Sequence, residues 1–286
     1  MPSGKRARQQ RQQAAAAAPP PVRSKGVGGV RARQASPRAL AIAGGVVLVI
    51  VIAIVLGVVL SGGSGGGGGG IVSSSDMQDL PATGSQSSAN ALPGAPEANN
   101  LFKGIPQHGL TLGDPKAPVE MEMFIDVRCP VCQDYEVLKL PAVVKHDIAT
   151  GKAQLHLKPW AFLGPQSFTG RLGVIAAADQ NKGYEYAKVL YDNQGPESDQ
   201  WLTGREMAVI AASVNGLNLA QWRDAVNGSA SQSTASAVDA LAKQKNIQAT
   251  PTILIGCTGG KLQAIGAGGE PSAQETEQAI AAASCS

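Results

Sequence analysis

The sequence predicts an α/β domain built on one mixed sheet, with a block of helices inserted midway, standing outside a membrane anchor. Three observations predict it. The periodicities run strand–helix–strand, then a long helical stretch, then strand–strand–helix. An apolar run near the N-terminus is long enough to span a bilayer, and all four cysteines lie beyond it.

Residues 1–38 carry nine basic side chains (Lys5, Arg6, Arg8, Arg11, Arg23, Lys25, Arg31, Arg33 and Arg38) and no acidic one. Low complexity makes this a disordered basic cytoplasmic tail able to brush anionic lipid. Removing those nine from the 24 basic groups leaves 15 against 21 acidic groups in the rest of the chain. The positive balance therefore describes the tail. A nucleic-acid surface is excluded, because a domain that binds phosphate should itself be basic.

Ala39 to Leu60 is an unbroken apolar run of 22 residues. As a helix it spans about 33 Å, the thickness of a hydrocarbon core. A secretory signal is shorter and ends at a small-residue cleavage site. This run ends instead in SGGSGGGGGG. The next Lys or Arg is Lys103, so the positive-inside rule puts the N-terminus in the cytoplasm and the remainder outside. Residues 61–100, rich in Gly, Ser, Ala, Asn and Pro, read as a flexible linker with a reach of about 35 Å. The globular domain is then 101–286.

Within it, Val119–Val127 is a strand whose later positions are apolar on both faces, as in a buried sheet. A helix follows from Pro130 to about Ile148, stopped at Ala-Thr-Gly-Lys. Ala153–Trp160 alternates Leu155 and Leu157 against Gln154, His156 and Lys158, a second strand. The helical insertion covers about 165–245, with breaks at Asn181-Lys182-Gly183, Gln194-Gly195-Pro196, Asn215-Gly216 and Asn227-Gly228. Gln248–Gly256 is a strand entered through a proline, Lys261–Ile265 its hairpin partner, and Ala273–Ala283 the last helix. Trp160, Trp201 and Trp222 read as core anchors rather than substrate platforms.

The chemistry lies at Cys129-Pro130-Val131-Cys132, which opens a helix directly after a buried strand. Residues three apart on a helix share a face, so the two sulfurs can meet. Pro130 suits the first helical position, where an N–H would go unpaired anyway. The helix N-terminus stabilises a Cys129 thiolate, which makes the disulfide more oxidising. Half of a zinc site is a poor alternative: zinc needs four ligands, there is no second Cys-x-x-Cys, and His108, His146 and His156 have no ligand spacing. A structural bridge is poor too, since so short a loop removes little chain entropy. No metal or cofactor is expected.

Cys257 ends the strand after Thr250-Pro251, and Cys285 ends the last helix, which should pack back on the sheet. A bridge between them would close a loop worth about 3.6 kcal/mol in the chain-entropy model. A structural disulfide is the expected state, with a second redox relay and free thiols as the alternatives.

FIDVRCPVCQDYE, preceded by GDPKAPVEME and followed much later by ATPTILIG, resembles the DsbA-like branch of the thioredoxin superfamily from about Gly109 to Ser284. The resemblance implies a thioredoxin fold with an inserted helical subdomain, Cys129 as the exposed reactive cysteine and Cys132 as the buried one. It also implies a cis-proline at Pro251, with the Thr250 backbone pairing with a bound peptide. A proline near a strand's start leaves an edge open beside the sulfur, which agrees. Pro130, Val131 and Asp126 would be the redox-tuning positions, although Asp126 serves equally well as a loop cap. Two departures stand out. Met123 occupies the position, six before the first cysteine, where many members carry an acid. Val131 replaces the His of the strongest oxidants, so a less oxidising pair is expected.

The function implied is an extracytoplasmic thiol–disulfide oxidoreductase of the cell membrane. It would introduce disulfides into unfolded or reduced exported proteins, as a monomer reoxidised by a quinone-linked membrane partner. A reductase or isomerase is the first alternative, and a non-catalytic peptide-binding holdase the second.

Overall fold

The computed structural model describes residues 70–266 and 269–285. The expected tail at 1–38, the expected span at 39–60 and the start of the expected linker lie outside the described residues. Among the described residues no helix is long and apolar enough to cross a membrane.

The sheet is laid down by three strands, β3 (Val119–Ile125), β4 (Ala153–Pro159) and β5 (Thr252–Cys257). β3 lies between the other two, parallel to β4 from Val119↔Ala153 to Ile125↔Pro159 and antiparallel to β5 from Val119↔Cys257 to Phe124↔Thr252. It is central in the sheet and packed on both faces, so six of its seven residues are buried. Met121, Met123 and Ile125 enter the main core. Phe124 points the other way, into a smaller cluster with Ala242, Ile247, Leu254 and Trp160. Burying side chains of this size contributes about 1.5–3 kcal/mol each.

Short strands extend both edges: β1 (Gln107–His108) and β2 (Thr111–Leu112) beyond β4, and β6 (Gln263–Ala264) beyond β5. The sheet order is β1-β2-β4-β3-β5-β6. The β1–β2 hairpin was not foreseen, because two-residue strands show no periodicity.

β3 leads into α2 (Pro130–Asp134), which continues through a π-helical turn at Tyr135–Lys139, α3 (Leu140–Val143) and a second π-helical turn at Val144–Ile148. Pro141 accounts for the first turn. It has no N–H and its ring would strike the carbonyl four residues back, so the ladder widens there. The Leu140 N–H accordingly reaches the Tyr135 carbonyl, five residues back.

The inserted helices are α4 (Pro165–Ala178), α5 (Gly183–Asp192), α6 (Gly204–Ala212), α7 (Leu219–Val226) and α8 (Ser229–Gln244). Trp222 is fully buried, and its indole N–H donates to the Gly173 carbonyl at 3.0 Å. The last helix, α9 (Ala273–Ala282), begins at a capping box formed by Ser272 and Glu275.

Residues 70–100 correct the linker reading. They form a strap packed on the inserted helices, so the folded domain begins well before residue 101. Val72 is buried, and its carbonyl accepts from Asn227 Nδ2 at 2.8 Å. The Gly84 N–H donates to the Leu217 carbonyl and the Ser85 N–H to the Ala212 carbonyl, both at 2.8 Å. A Cβ on Gly84 would lie 2.2 Å from the Val214 carbonyl, so only glycine permits this approach. The strap ends in α1 (Ala95–Leu101), where buried Asn99 donates to the Ser213 carbonyl at 3.0 Å. Its composition resembles a tether because backbone pairing, more than side-chain burial, holds it down.

Candidate active site

The C-terminal end of β3 delivers Asp126-Val127-Arg128 to the base of α2. Cys129 caps that helix in an extended conformation, with Pro130 at its first position. The Cys129 N–H donates to the Asp126 carbonyl and the Gln133 N–H to the Cys129 carbonyl, both at 3.0 Å. Cys132 is wholly enclosed, and Cys129, expected to be exposed, is itself buried with only 6% of its surface open, because it packs against the segment before Pro251.

From β5 comes the second half of the site. The Thr250–Pro251 peptide bond is cis, and the Cys129 thiol donates to the Thr250 carbonyl at 3.4 Å. The Thr250 side chain is buried beside the two sulfurs. The structure therefore brings together Cys129, Cys132, Thr250 and Pro251.

The two thiols are pushed apart in acidity. Hydrogen bonding from Cys132 holds the Cys129 thiol down at about 6. The Thr250 side chain and the N–H groups of Cys132 and Val131 add to this, against the opposing effect of burial. Burial drives Cys132 well above the ordinary thiol range, and the hydrogen bond and charge of Cys129 push it the same way. One sulfur is a ready thiolate near neutral pH, the other a protonated thiol.

Asp126 acts through the backbone. Its Oδ1 accepts from the Arg128 N–H at 2.9 Å and the Ser167 hydroxyl at 2.7 Å. Its Oδ2 accepts from the N–H groups of Phe162 at 2.8 Å and Leu163 at 3.1 Å. The carboxylate thus ties the cysteine loop to the segment between β4 and α4. Its main-chain carbonyl also accepts from the Tyr191 hydroxyl at 2.9 Å.

Val131 is exposed at the lip of a groove of about 500 Å³ lined by Ile247, Thr250, Pro251, Leu254 and Ile265 among others. Phe162 is exposed too and stacks on Trp160, ring centroids 4.8 Å apart. Sequence reasoning missed Phe162. Its signal was an aromatic pair spaced x-x+2 just past the C-terminal end of β4, the sheet end where the cysteines sit. It also missed the buried Glu136, one helical turn after Cys132.

Away from this site, Cys257 and Cys285 are disulfide-bonded, Cα atoms 5.4 Å apart, joining β5 to the segment after α9. Among the described residues no three His, Cys, Asp or Glu side chains gather as metal ligands.

A family model described as Thioredoxin matches residues 106–261. The chain belongs to the thioredoxin family. Within that family its likeness is to DsbA-type proteins. It is 23% identical over 162 residues to the probable disulfide bond formation protein D of Bacillus cereus, covering 56% of this chain and 74% of the relative. It is 25% identical over 149 residues to disulfide bond formation protein D of Bacillus subtilis, covering 50% and 66%. Among solved structures, oxidised BdbD from Bacillus subtilis superposes with a TM-score of 0.54 at 21% identity, over 61% of this chain and 91% of that one. Chlamydia trachomatis DsbA does so with a TM-score of 0.52 at 21% identity, over 62% and 91%. These likenesses show the fold. With a paired Cys-x-x-Cys at the family's reactive position, the chain is a thiol–disulfide oxidoreductase.

Proposed function

We propose that this protein oxidises cysteine pairs in exported polypeptides, outside the cytoplasm, while held at the cell membrane by residues 39–60. The carrying observation is the low titration of Cys129, at about 6, beside a Cys132 thiol pushed far up. A dithiol whose outer member rests as a stabilised thiolate favours the reduced state, so its disulfide oxidises others.

A substrate thiolate attacks Cys129 Sγ of the oxidised pair, and the Cys129–Cys132 bond breaks with its electrons passing to Cys132. The Thr250 carbonyl and the open edge beside Pro251 align the bound chain. A second substrate thiolate then attacks the substrate sulfur of the mixed disulfide, and Cys129 leaves as thiolate. The substrate gains a disulfide and both cysteines end reduced. Reoxidation falls to a quinone-linked membrane partner, and the protein works as a monomer. The DsbA-type likeness and the apolar run after a basic tail support this setting.

The reduction potential of the Cys129/Cys132 pair against glutathione tests the direction. A value of about −120 to −160 mV fits an oxidase, while one of about −250 mV assigns a reductase. A Cys129→Ser variant that still oxidises dithiols would overturn the reading altogether.

A further inference from the structure

We propose that Arg128 fixes the connection between α5 and α6 as an acidic bank beside Cys129, and that this bank selects substrate cysteines flanked by basic residues. The inference names a substrate class for the disulfide exchange proposed above and rests on it.

The sequence puts an arginine directly before the reactive cysteine, where a cation would ordinarily seek solvent or a carboxylate. In the fold it does neither. Arg128 is buried, and its guanidinium turns to main-chain oxygens of the connection. Nη2 donates to the Glu197 carbonyl and, at 2.8 Å, to the Asp199 carbonyl. Its Nε is buried without a partner among the described residues, so the two carbonyls answer the charge. A cation withdrawn from water is costly to leave unanswered, and it holds the oxygens it has.

Two more contacts fasten the same stretch to the cysteine loop. The Tyr191 hydroxyl, at the end of α5, donates to the Asp126 carbonyl at 2.9 Å, and Gln194 Nε2 donates to the Val127 carbonyl at 3.4 Å. Asp126, Val127 and Arg128 in succession therefore hold points between Tyr191 and Asp199. Packing closes the connection from below. A Cβ on Gly170 of α4 would lie 2.3 Å from Leu202 Cδ2, and one on Gly195 would lie 2.6 Å from Trp201 Cγ. The Asp199 N–H donates to the Pro196 carbonyl at 3.0 Å, which makes 196–199 a turn. A loop tied at so many points keeps one place relative to Cys129.

With two carbonyls drawn to Arg128, the turn presents Glu197, Ser198 and Asp199 to solvent. Neither carboxylate has an ion-pair partner among the described residues, and Asp199 Oδ1 takes only the neighbouring Ser198 hydroxyl at 2.9 Å. The cations on the groove side are already engaged. Lys139 is shared by Asp134 and Glu270, both at 2.6 Å, and Lys245 pairs with Glu122 at 2.7 Å. A substrate cysteine that reaches Cys129 lays its flanking residues on the Thr250-Pro251 edge and on this turn. Basic flanks are attracted there and acidic flanks repelled, over a range of about 8 Å at physiological salt.

The test gives the oxidised full-length protein reduced dithiol peptides that differ only in the residues flanking their cysteines: Lys, Glu or Ser. Each initial rate at low peptide concentration is divided by that peptide's rate with hydroxyethyl disulfide, a neutral reagent. This division removes the effect of the flanks on the peptide thiols themselves. In the wild type the Lys peptide should react about tenfold faster than the Glu peptide at low salt, and the ratio should shrink as salt is added. Glu197→Gln combined with Asp199→Asn should bring the ratio close to one. Arg128→Met leaves both carboxylates in the chain but frees the turn, and should lower the ratio as well. A wild-type ratio in the doubly substituted protein would overturn the proposal; both side chains are exposed, so that protein folds whatever Arg128 contributes. A wild-type ratio in Arg128→Met would refute its part in placing the bank. Failure of the wild type to oxidise even the Ser peptide would instead refute the exchange reading.

Discussion

The Cys129 thiol donates to the Thr250 carbonyl across 3.4 Å, so the reactive sulfur and the free backbone edge before Pro251 meet at one point. A peptide joined to Cys129 lies within reach of that edge without rearrangement. The Thr250 side chain also helps to hold the Cys129 thiol down. Thr250→Val keeps the shape and removes the hydroxyl. Its Cys129 should titrate above the wild-type value of about 6, and its potential should become more reducing. Thiolate absorbance across a pH series, with a glutathione equilibration, reads both.

The same depressed thiol makes the reduced protein's stability depend on pH. The Cys129 thiol falls from 9.0 to about 6 on folding. A depressed group contributes stability that is full above the unfolded value and lost as pH falls through the folded one. Reduced protein should therefore gain stability over oxidised protein as pH rises from about 6 to about 9. Cys132, raised on folding, acts oppositely only above the ordinary thiol value. Urea unfolding of both redox forms at pH 6, 7.5 and 9 measures the gap. A constant gap would contradict the assignment of the low-titrating thiol.

The strands carrying the site were legible because each has the pattern its burial demands. β3 is apolar where it is covered on both faces, and Cys129-Pro130 marks a helix start by chemistry alone. The strap at 70–100 was not legible. Many of its contacts are made by its own main chain, such as the Gly84 N–H to the Leu217 carbonyl between α6 and α7, and these leave no side-chain signature. Glu136 was hidden for another reason. An acid on a helix is normally solvated, and only the packing of α5 over the π-helical turn at Tyr135–Lys139 encloses this one. The clamp at Asp126 was half legible: its position could be read, but three of its four partners come from residues 36 to 41 positions away.

That clamp makes a specific demand. Asp126→Ala strands the N–H groups of Phe162, Leu163 and Arg128 together with the Ser167 hydroxyl. The loss should be about 3–5 kcal/mol, since stranded buried donors cost more than a bond is worth. Asp126→Asn keeps an acceptor and should lose about half as much. Chemical denaturation of the oxidised forms gives both numbers.

Cys257 and Cys285 stand 28 residues apart and join the end of β5 to the segment after α9. Replacing both with Ser should cost about 3.6 kcal/mol in the chain-entropy model. The potential of the Cys129/Cys132 pair should stay unchanged, because the bridge lies at the opposite end of β5 from Pro251. A shift in that potential would reveal a redox link between the pairs.

Phe162 separates the chemistry from the recognition of polypeptide. It is exposed at the end of the sheet where Cys129 sits, steadied by Asp126 through its N–H and by Trp160 through its ring. Its ring is absent from the contacts that set the acidity of either thiol. An exposed aromatic at the reactive end of the sheet offers apolar area to a bound chain, about 1.5–3 kcal/mol when covered. Phe162→Ala should therefore leave the reaction with glutathione unchanged. It should raise KM for a reduced, unfolded protein substrate about tenfold, the equivalent of 1.4 kcal/mol, with kcat little altered. Equal slowing of both reactions would mean that Phe162 orders the cysteine loop instead of contacting the substrate.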